Sequence, residues 1–314
     1  MSGRELIVTA STGVAFAGHP KQRPEALLRD ADAAMYRAKE LGRDRYELFD
    51  EAMRARALTR LETETALRRA LDEGELALFF QPEIELGTGL LLGAEALLRW
   101  RENEDRVALP TEFVPVAEET GLIVPIGEWV IREACRQLAS WRAAGADRAP
   151  ATISVNLSAR QLRHPDLPEL VAEALSESGI DPECLRLEIT ESTLMNDADA
   201  AVAALKALKT LGVRLAVDDF GTGYSSLAYL KRFPVDTLKL DHSFISGLGH
   251  NPEDAAIVRA VLSMAQTLDL TVVAEGVERA DQVAELQALG CRIGQGNYFS
   301  PPLPAEEFSV LLEE

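Results

Sequence analysis

The sequence predicts an α/β protein, an eight-stranded (β/α)8 barrel preceded by a short α+β remnant and a linker helix. Three observations carry this expectation. Strand-like and helix-like runs alternate along most of the 314 residues, the pattern of repeated βα units. Eight strand candidates fall within a stretch of about 250 residues, the usual size of such a barrel. Charge also divides the chain: residues 1–72 hold 13 basic and 12 acidic side chains, whereas the remainder holds 19 and 39. That shift places a boundary near Asp72.

Taken in order, Leu6 to Phe16 is rich in β-formers, and Gly18-His19-Pro20 breaks it. Pro24 to Leu41 carries Leu27, Leu28, Ala31, Met35 and Ala38 at helical spacing, and Gly42 ends the helix. Tyr46–Phe49 is a short strand. Glu51 to Leu71 is a charged helix with Leu58, Leu61, Ala66, Leu67 and Leu71 as its apolar stripe. Two short strands cannot bury much core, so residues 1–50 read as the end of a larger domain and 51–72 as a linker helix. The barrel would occupy 73–314. Its strand candidates are Leu76–Leu86, Leu90–Leu98, Thr152–Asn156, Leu185–Ile189, Arg214–Val217, Thr237–Leu240, Thr271–Ala274 and Arg292–Gln295. Helices are expected at Glu128–Ala144, Ala198–Leu211, Glu253–Leu268 and Ala280–Leu289, and the sheet is expected to be parallel. An open doubly wound sheet is the competing architecture, but no Gly-x-Gly-x-x-Gly follows an early strand.

Composition narrows the function. A formal charge of −19 argues against a nucleic-acid polymer or an anionic membrane surface as partner. The three cysteines, Cys135, Cys184 and Cys291, form neither a zinc pair nor a disulfide framework, which suits a reduced, cytoplasmic setting. The chain has neither a signal-like start nor an apolar run of about 20 residues, so no membrane contact by this segment is expected. A longer parent protein could still carry an anchor.

Chemistry-bearing residues gather at the strand ends. Glu95, Asn156, Glu188, Asp218, Asp219, Lys239, Glu275 and Gln295 each lie at or just after the C-terminal end of a predicted strand, or within it. In a barrel those ends converge on one face. Singly, each has a plainer reading: Asp218 and Asn156 as helix caps, Lys239 as a surface lysine. Together, five carboxylates at one mouth would repel unless cations joined them. All-oxygen ligands favour Mg2+, Mn2+ or Ca2+, and five carboxylates suit two ions sharing an Asp, an arrangement that serves in-line attack at phosphorus. His19, His164, His242 and His250 receive no role, and no serine nucleophile elbow occurs. Ser225-Ser226 reads as a helix start, and Phe113, Met195 and Met264 as packing residues.

At this point the motifs resemble a known family, the EAL domain of bacterial cyclic-di-GMP phosphodiesterases. Glu95-Ala96-Leu97-Leu98-Arg99-Trp100 is similar to its signature, and Phe80-Gln81-Pro82 to its opening strand. Asn156-Leu157-Ser158, Glu188-Ile189-Thr190-Glu191, the run Asp218 to Leu227, Leu238-Lys239-Leu240-Asp241, Ala274-Glu275-Gly276-Val277-Glu278 and Gln295-Gly296 follow in order. The resemblance covers about residues 70–314. It implies a TIM-like barrel that hydrolyses cyclic-di-GMP to linear pGpG with two Mg2+ or Mn2+ ions, Ca2+ being inhibitory. One ion would be held by Glu95, Asn156, Glu188 and Asp218, the other by Asp218, Asp219 and Glu275. Lys239 and Glu275 would be catalytic, Lys239 holding the attacking water or offsetting charge. Gln81, Leu98, Arg99, Asp241, Glu278 and Gln295 would bind substrate. Glu191 would steady the loop containing Phe220, Gly221, Thr222 and Gly223, which lies near the family's usual dimer contact. A homodimer through the barrel is therefore expected. Asn297, Pro301 and Arg292 depart from residues common in the family.

Val8 to Ala15 and Ala31 to Lys39 resemble the C-terminal third of a GGDEF domain, the diguanylate cyclase fold. No Gly-Gly pair occurs in the chain, so cyclase activity is not expected. Upstream sensory or GGDEF segments in a longer parent would then act on the barrel through the linker helix. Two other readings compete with the enzyme: a catalytically quiet cyclic-di-GMP receptor or protein-interaction module, and a different metal-assisted barrel enzyme.

Overall fold

The computed structural model describes residues 9–17, 19, 23–42, 44–103, 106–145, 149–222 and 227–313. The chain divides into two compact units, Met1–Arg69 and Ala70–Glu314. In the first, β1 (Thr12–Val14) pairs in parallel with β2 (Tyr46–Leu48), joined by α1 (Pro24–Glu40). The expected first strand is thus shorter within the described residues, and Leu6–Val8 lie outside them. Phe16, Leu28 and Tyr46 remain largely exposed, as the small size of this unit dictates. The charged helix is α2 (Glu51–Glu73). Its apolar stripe is only partly covered: Leu67 is buried, but Leu58 and Leu61 are exposed.

The second unit is a closed barrel of eight strands. The chain runs through β3 (Leu76–Glu85), β4 (Leu91–Asn103), β5 (Arg106–Ala108), α3 (Pro110–Thr120), α4 (Ile123–Ala143), β6 (Thr152–Asn156), α5 (Ala159–Leu162) and α6 (Leu167–Ser178). It continues with β7 (Leu185–Thr190), α7 (Glu191–Asn196), α8 (Ala198–Lys209), β8 (Arg214–Phe220), α9 (Leu227–Leu230), β9 (Thr237–Leu240), α10 (His242–Ser246) and α11 (Pro252–Thr267). The last elements are β10 (Thr271–Ala274), α12 (Ala280–Leu289), β11 (Ile293–Gln295), β12 (Leu303–Pro304) and α13 (Ala305–Leu311). The ring order is β3-β11-β10-β9-β8-β7-β6-β4, closed by β3 on β4, with β5 and β12 as additions.

One expectation is corrected. The sheet is not wholly parallel: β3 runs antiparallel to both β4 and β11. The cause is local. A tight turn through Gly87, Thr88 and Gly89 joins β3 to β4, and a connection that short can only reverse the chain. The N-terminal half of β3 therefore faces the barrel end where the other strands finish, which brings Gln81 opposite Glu95. Phe80, on the outward face, locks this strand down. Its ring meets Trp141 of α4 edge-on at 4.9 Å and Phe308 of α13 at 6.0 Å.

Side-chain alternation separates the layers. On β7, Leu185, Leu187 and Ile189 are fully buried under helices, while Arg186 and Glu188 point inward. The same alternation on β9 sends Leu238 and Leu240 outward and Lys239 inward. Phe113 is core, whereas Met195 and Met264 are half-buried.

The cysteines are free. Burial pushes the Cys135 thiol up to about 12 and the Cys291 thiol up to about 11. Thiolate is the reactive form, so iodoacetamide at pH 8 should modify the native protein once, at half-buried Cys184, and the denatured chain three times. Mass spectrometry of the labelled peptides checks this; native labelling of Cys135 would contradict the packing.

Candidate active site

At the end of the barrel where the parallel strands finish, the carboxylates gather around one ammonium. Lys239 on β9 has no exposed surface. Its Nζ lies 3.0 Å from Glu95 Oε2, 2.5 Å from Glu188 Oε2, 2.5 Å from Glu275 Oε1 and 3.8 Å from Asp218 Oδ1. The surface-lysine reading is therefore wrong. Desolvation would lower its pKa, but four carboxylates outweigh that and hold it well above the ordinary lysine value.

The cap readings also give way. Asn156 does not cap α5; Ser158 does, with its Oγ accepting from Gln161 N at 3.3 Å. Asn156 Nδ2 instead donates to Glu95 Oε1 at 2.7 Å. Asp218 lies within β8, where its Oδ1 accepts the Asp219 backbone N–H at 3.0 Å. Asp219 takes a left-handed φ of 52°, rare for a residue other than glycine, where the pairing of β8 with β9 shifts register between Val217 and Phe220. Carboxylate oxygens of Asp218, Asp219 and Glu275 all lie within 4.8 Å of one another.

Burial makes these acids unequal. Glu188 is pushed up to about 8, by desolvation first and then by the negative charges of Glu95 and Asp218. Desolvation also raises Glu275 well above the carboxylate range and raises Asp219, with Asp218 repelling both. For Glu95 burial acts upward, but Lys239, Gln295 and Asn156 together hold it below its ordinary value. The metal-free protein should therefore keep a proton on Glu188 to about pH 8 that the unfolded chain releases near 4.5. The stability linked to that proton is full below pH 4.5 and is lost as pH rises towards 8. In EDTA the melting temperature should fall between pH 6 and 8, and less steeply in Glu188→Gln. Equal slopes in the two proteins would contradict this assignment.

The donor set fits hard divalent cations. Glu188 Oε1 is buried without a hydrogen-bond partner, an open acceptor in a site of crowded anions. Oxygen ligands of this kind suit Mg2+ or Mn2+.

Around this centre, Gln295 Nε2 donates to Glu95 Oε2 at 2.7 Å and to Gln81 Oε1 at 3.1 Å. Gln81 Nε2 in turn donates to the Ser300 carbonyl at 3.0 Å. Gly296 lets β11 end against the backbone of Val277, because a Cβ there would collide with it. Arg99 sits half-buried over the Phe79 ring at 5.5 Å, with Nη1 donating to the Leu98 carbonyl at 2.9 Å. Asp241 caps α10, its Oδ1 accepting from Ser243 N at 3.0 Å. Glu278 is exposed. Buried Glu191 accepts the Gly221 N–H at 2.8 Å, fastening the segment of Phe220, Gly221 and Thr222 to α7. Gly223, like Ser225 and Ser226, lies outside the described residues. Asn297 and Pro301 are exposed, and Arg292 pairs with Glu85 at 3.0 Å.

Sequence reasoning missed the layer beneath. Arg186, Glu83 and Ser154 are buried inside the barrel under the carboxylates. The signal was present: Arg186 is two residues before Glu188 and Glu83 two after Gln81, so each shares the inward face.

The sequence profile of the family described as "EAL domain" matches residues 64–302, and that described as "Diguanylate cyclase, GGDEF domain" matches residues 1–45. The chain is 46% identical over 307 residues to the bifunctional diguanylate cyclase/cyclic di-GMP phosphodiesterase MucR of Pseudomonas aeruginosa, covering 98% of this chain and 44% of that protein. It is 41% identical over 311 residues to the cyclic di-GMP phosphodiesterase NbdA of the same organism, covering 98% of this chain and 40% of that one. It thus spans less than half the length of these relatives. A solved structure of the PaMucR phosphodiesterase in complex with c-di-GMP superposes with a TM-score of 0.75 at 46% identity, covering 79% of this chain and 99% of that one.

Proposed function

The chain belongs to the EAL-domain family, and from that premise we propose that it hydrolyses cyclic-di-GMP to linear pGpG, lowering a bacterial second messenger. Enzymes of this family depend on metal ions. The observation that carries the reading is the convergence of four carboxylates, those of Glu95, Glu188, Asp218 and Glu275, on the buried ammonium of Lys239, with Asp219 beside Asp218 and Glu275. Glu95, Asn156, Glu188 and Asp218 would hold one Mg2+ or Mn2+; Asp218, Asp219 and Glu275 would hold the second. When bound, the ions supply a water that deprotonates near neutral pH and neutralise charge on the phosphoryl oxygens.

The chain's own groups do the rest. Lys239, already shared among the acids, is placed to orient the attacking water and to offset charge as phosphorus becomes five-coordinate. Glu275, 2.5 Å from Lys239, completes the catalytic pair. Arg99 presents a planar fork to a phosphate oxygen. Gln81, Leu98, Asp241, Glu278 and Gln295 line the way to the nucleotide. Glu191, through Gly221, sets the loop after Asp219 and so the position of that ligand. Residues 1–50 are the end of a GGDEF-like domain, 51–72 a linker helix and 73–314 the catalytic barrel. The chain works as a homodimer through the barrel, in the cytoplasm, under upstream domains of a longer parent. Among the described residues, no helix is long and apolar enough to cross a membrane.

The test is direct. EDTA-treated protein is incubated with cyclic-di-GMP, with and without Mg2+ or Mn2+, and the nucleotides are separated by chromatography. Metal-dependent pGpG is the expected product, and Ca2+ should bind yet support little hydrolysis because its coordination is looser. Tight binding with no product under any metal would replace the enzyme with a receptor. Neither binding nor product would remove cyclic-di-GMP as the ligand.

A further inference from the structure

We propose that Arg186 is a positioning residue for Glu188, a buried guanidinium that fixes this metal-ligating carboxylate from below; the proposal rests on the metal reading above. Arg186 and Glu188 share the inward face of β7, with Arg186 one layer deeper. The guanidinium is held at two points. Its Nε donates to Ser154 Oγ at 2.8 Å, directly across the strand pair, and its Nη2 pairs with Glu83 of β3. From that position Nε lies 3.4 Å from Glu188 Oε1, the oxygen that has no hydrogen-bond partner. The other oxygen, Oε2, meets Lys239 at 2.5 Å. Glu188 is thus gripped between two cations. Lys239 is shared with Glu95 and Glu275, whereas, among the described residues, Arg186 lies within ion-pair distance of Glu188 alone of the five acids.

The surroundings are built for this pair. Side-chain exposure is 5% for Arg186, 1% for Glu83 and 0% for Glu188. Gly93 makes the room: a Cβ there would lie 2.7 Å from Glu83 Oε2 and 2.7 Å from Thr152 Oγ1. Stability does not require the arrangement, because buried ion pairs replaced by apolar side chains often leave a fold as stable as before, and barrel interiors are ordinarily filled by branched aliphatics. Its distinctive consequence is electrostatic and geometric, at Glu188. Outer partners of metal ligands act in this way, orienting the ligand and tuning its affinity. Lysine could not substitute fully, since one ammonium lacks the two diverging edges that reach Ser154 and Glu83 together.

The experiment compares full-length wild-type protein, Arg186→Lys and the double variant Glu83→Leu/Arg186→Met by Mn2+ titration calorimetry and by thermal melting. The double variant leaves no unpaired buried charge, so it should melt close to wild type. It should nevertheless bind Mn2+ roughly 10–100-fold more weakly, with Arg186→Lys between the two. The Mn2+ concentration for half-maximal turnover should rise in parallel, with KM for the nucleotide little changed. A double variant that binds Mn2+ as wild type does would overturn the proposal, as would an affinity loss that merely follows the fraction unfolded. Wild-type protein that takes up no Mn2+ would overturn the metal reading itself, so the two failures are distinguishable.

Discussion

Lys239→Ala is expected to lower cyclic-di-GMP turnover by roughly 10²–10³-fold or more, the scale of losing one preorganised charge from a water-poor site. Lys239 Nζ is 2.5 Å from both Glu188 and Glu275 and 3.0 Å from Glu95, with no exposed surface. No neighbouring group among the described residues replaces a donor at that point. Removing it also takes positive charge from a crowd of carboxylates, which favours cations. Mn2+ should therefore bind at least as tightly while turnover collapses. Lys239→Met, closer in volume, separates this effect from the cavity left by alanine. Near-normal turnover in a folded variant would end the role assigned to Lys239.

Glu95→Ala should also abolish turnover, by about a hundredfold or more, but with the opposite effect on metal. Glu95 ties three groups together: it accepts from Asn156 at 2.7 Å, from Gln295 at 2.7 Å and from Lys239 at 3.0 Å. Alanine would remove a ligand of the proposed site and free the amide of Asn156, assigned there to the same ion. Mn2+ affinity should fall together with turnover, by at least the amount typical of disturbing a ligand's outer partners. The two variants thus form a pair: one loses chemistry and keeps metal, the other loses both. Retained Mn2+ affinity in Glu95→Ala would remove Glu95 from the ligand set.

Much of this architecture is legible in the sequence. Thr152–Asn156, Thr237–Leu240 and Thr271–Ala274 are short β-rich runs bounded by clear breaks, and the structure places strands over the same residues. Helix Ala280–Leu289 likewise matches, because Gly290 ends it in a left-handed conformation. The antiparallel β3 departs from the βα repeat because its segment has no helix before β4, and Gly87 and Gly89 mark the hairpin in the sequence. Among site residues, the acids at strand ends were visible through their position. The burial of Lys239 was not, because a lysine is buried only when tertiary partners neutralise it, and those partners come from β4, β7, β8 and the residue after β10. The same holds for Asn156, whose cap reading lost to Ser158 two residues on. Arg186 and Glu83 could have been found by following side-chain alternation one layer further into the barrel.

The most direct test of the account is anomalous diffraction from crystals of this chain soaked in Mn2+. Two peaks about 3.5–4 Å apart, one among Glu95, Asn156, Glu188 and Asp218 and the other among Asp218, Asp219 and Glu275, are the expected result. A mouth without bound Mn2+, with Lys239 still occupying the centre of the carboxylates at millimolar metal, would contradict it.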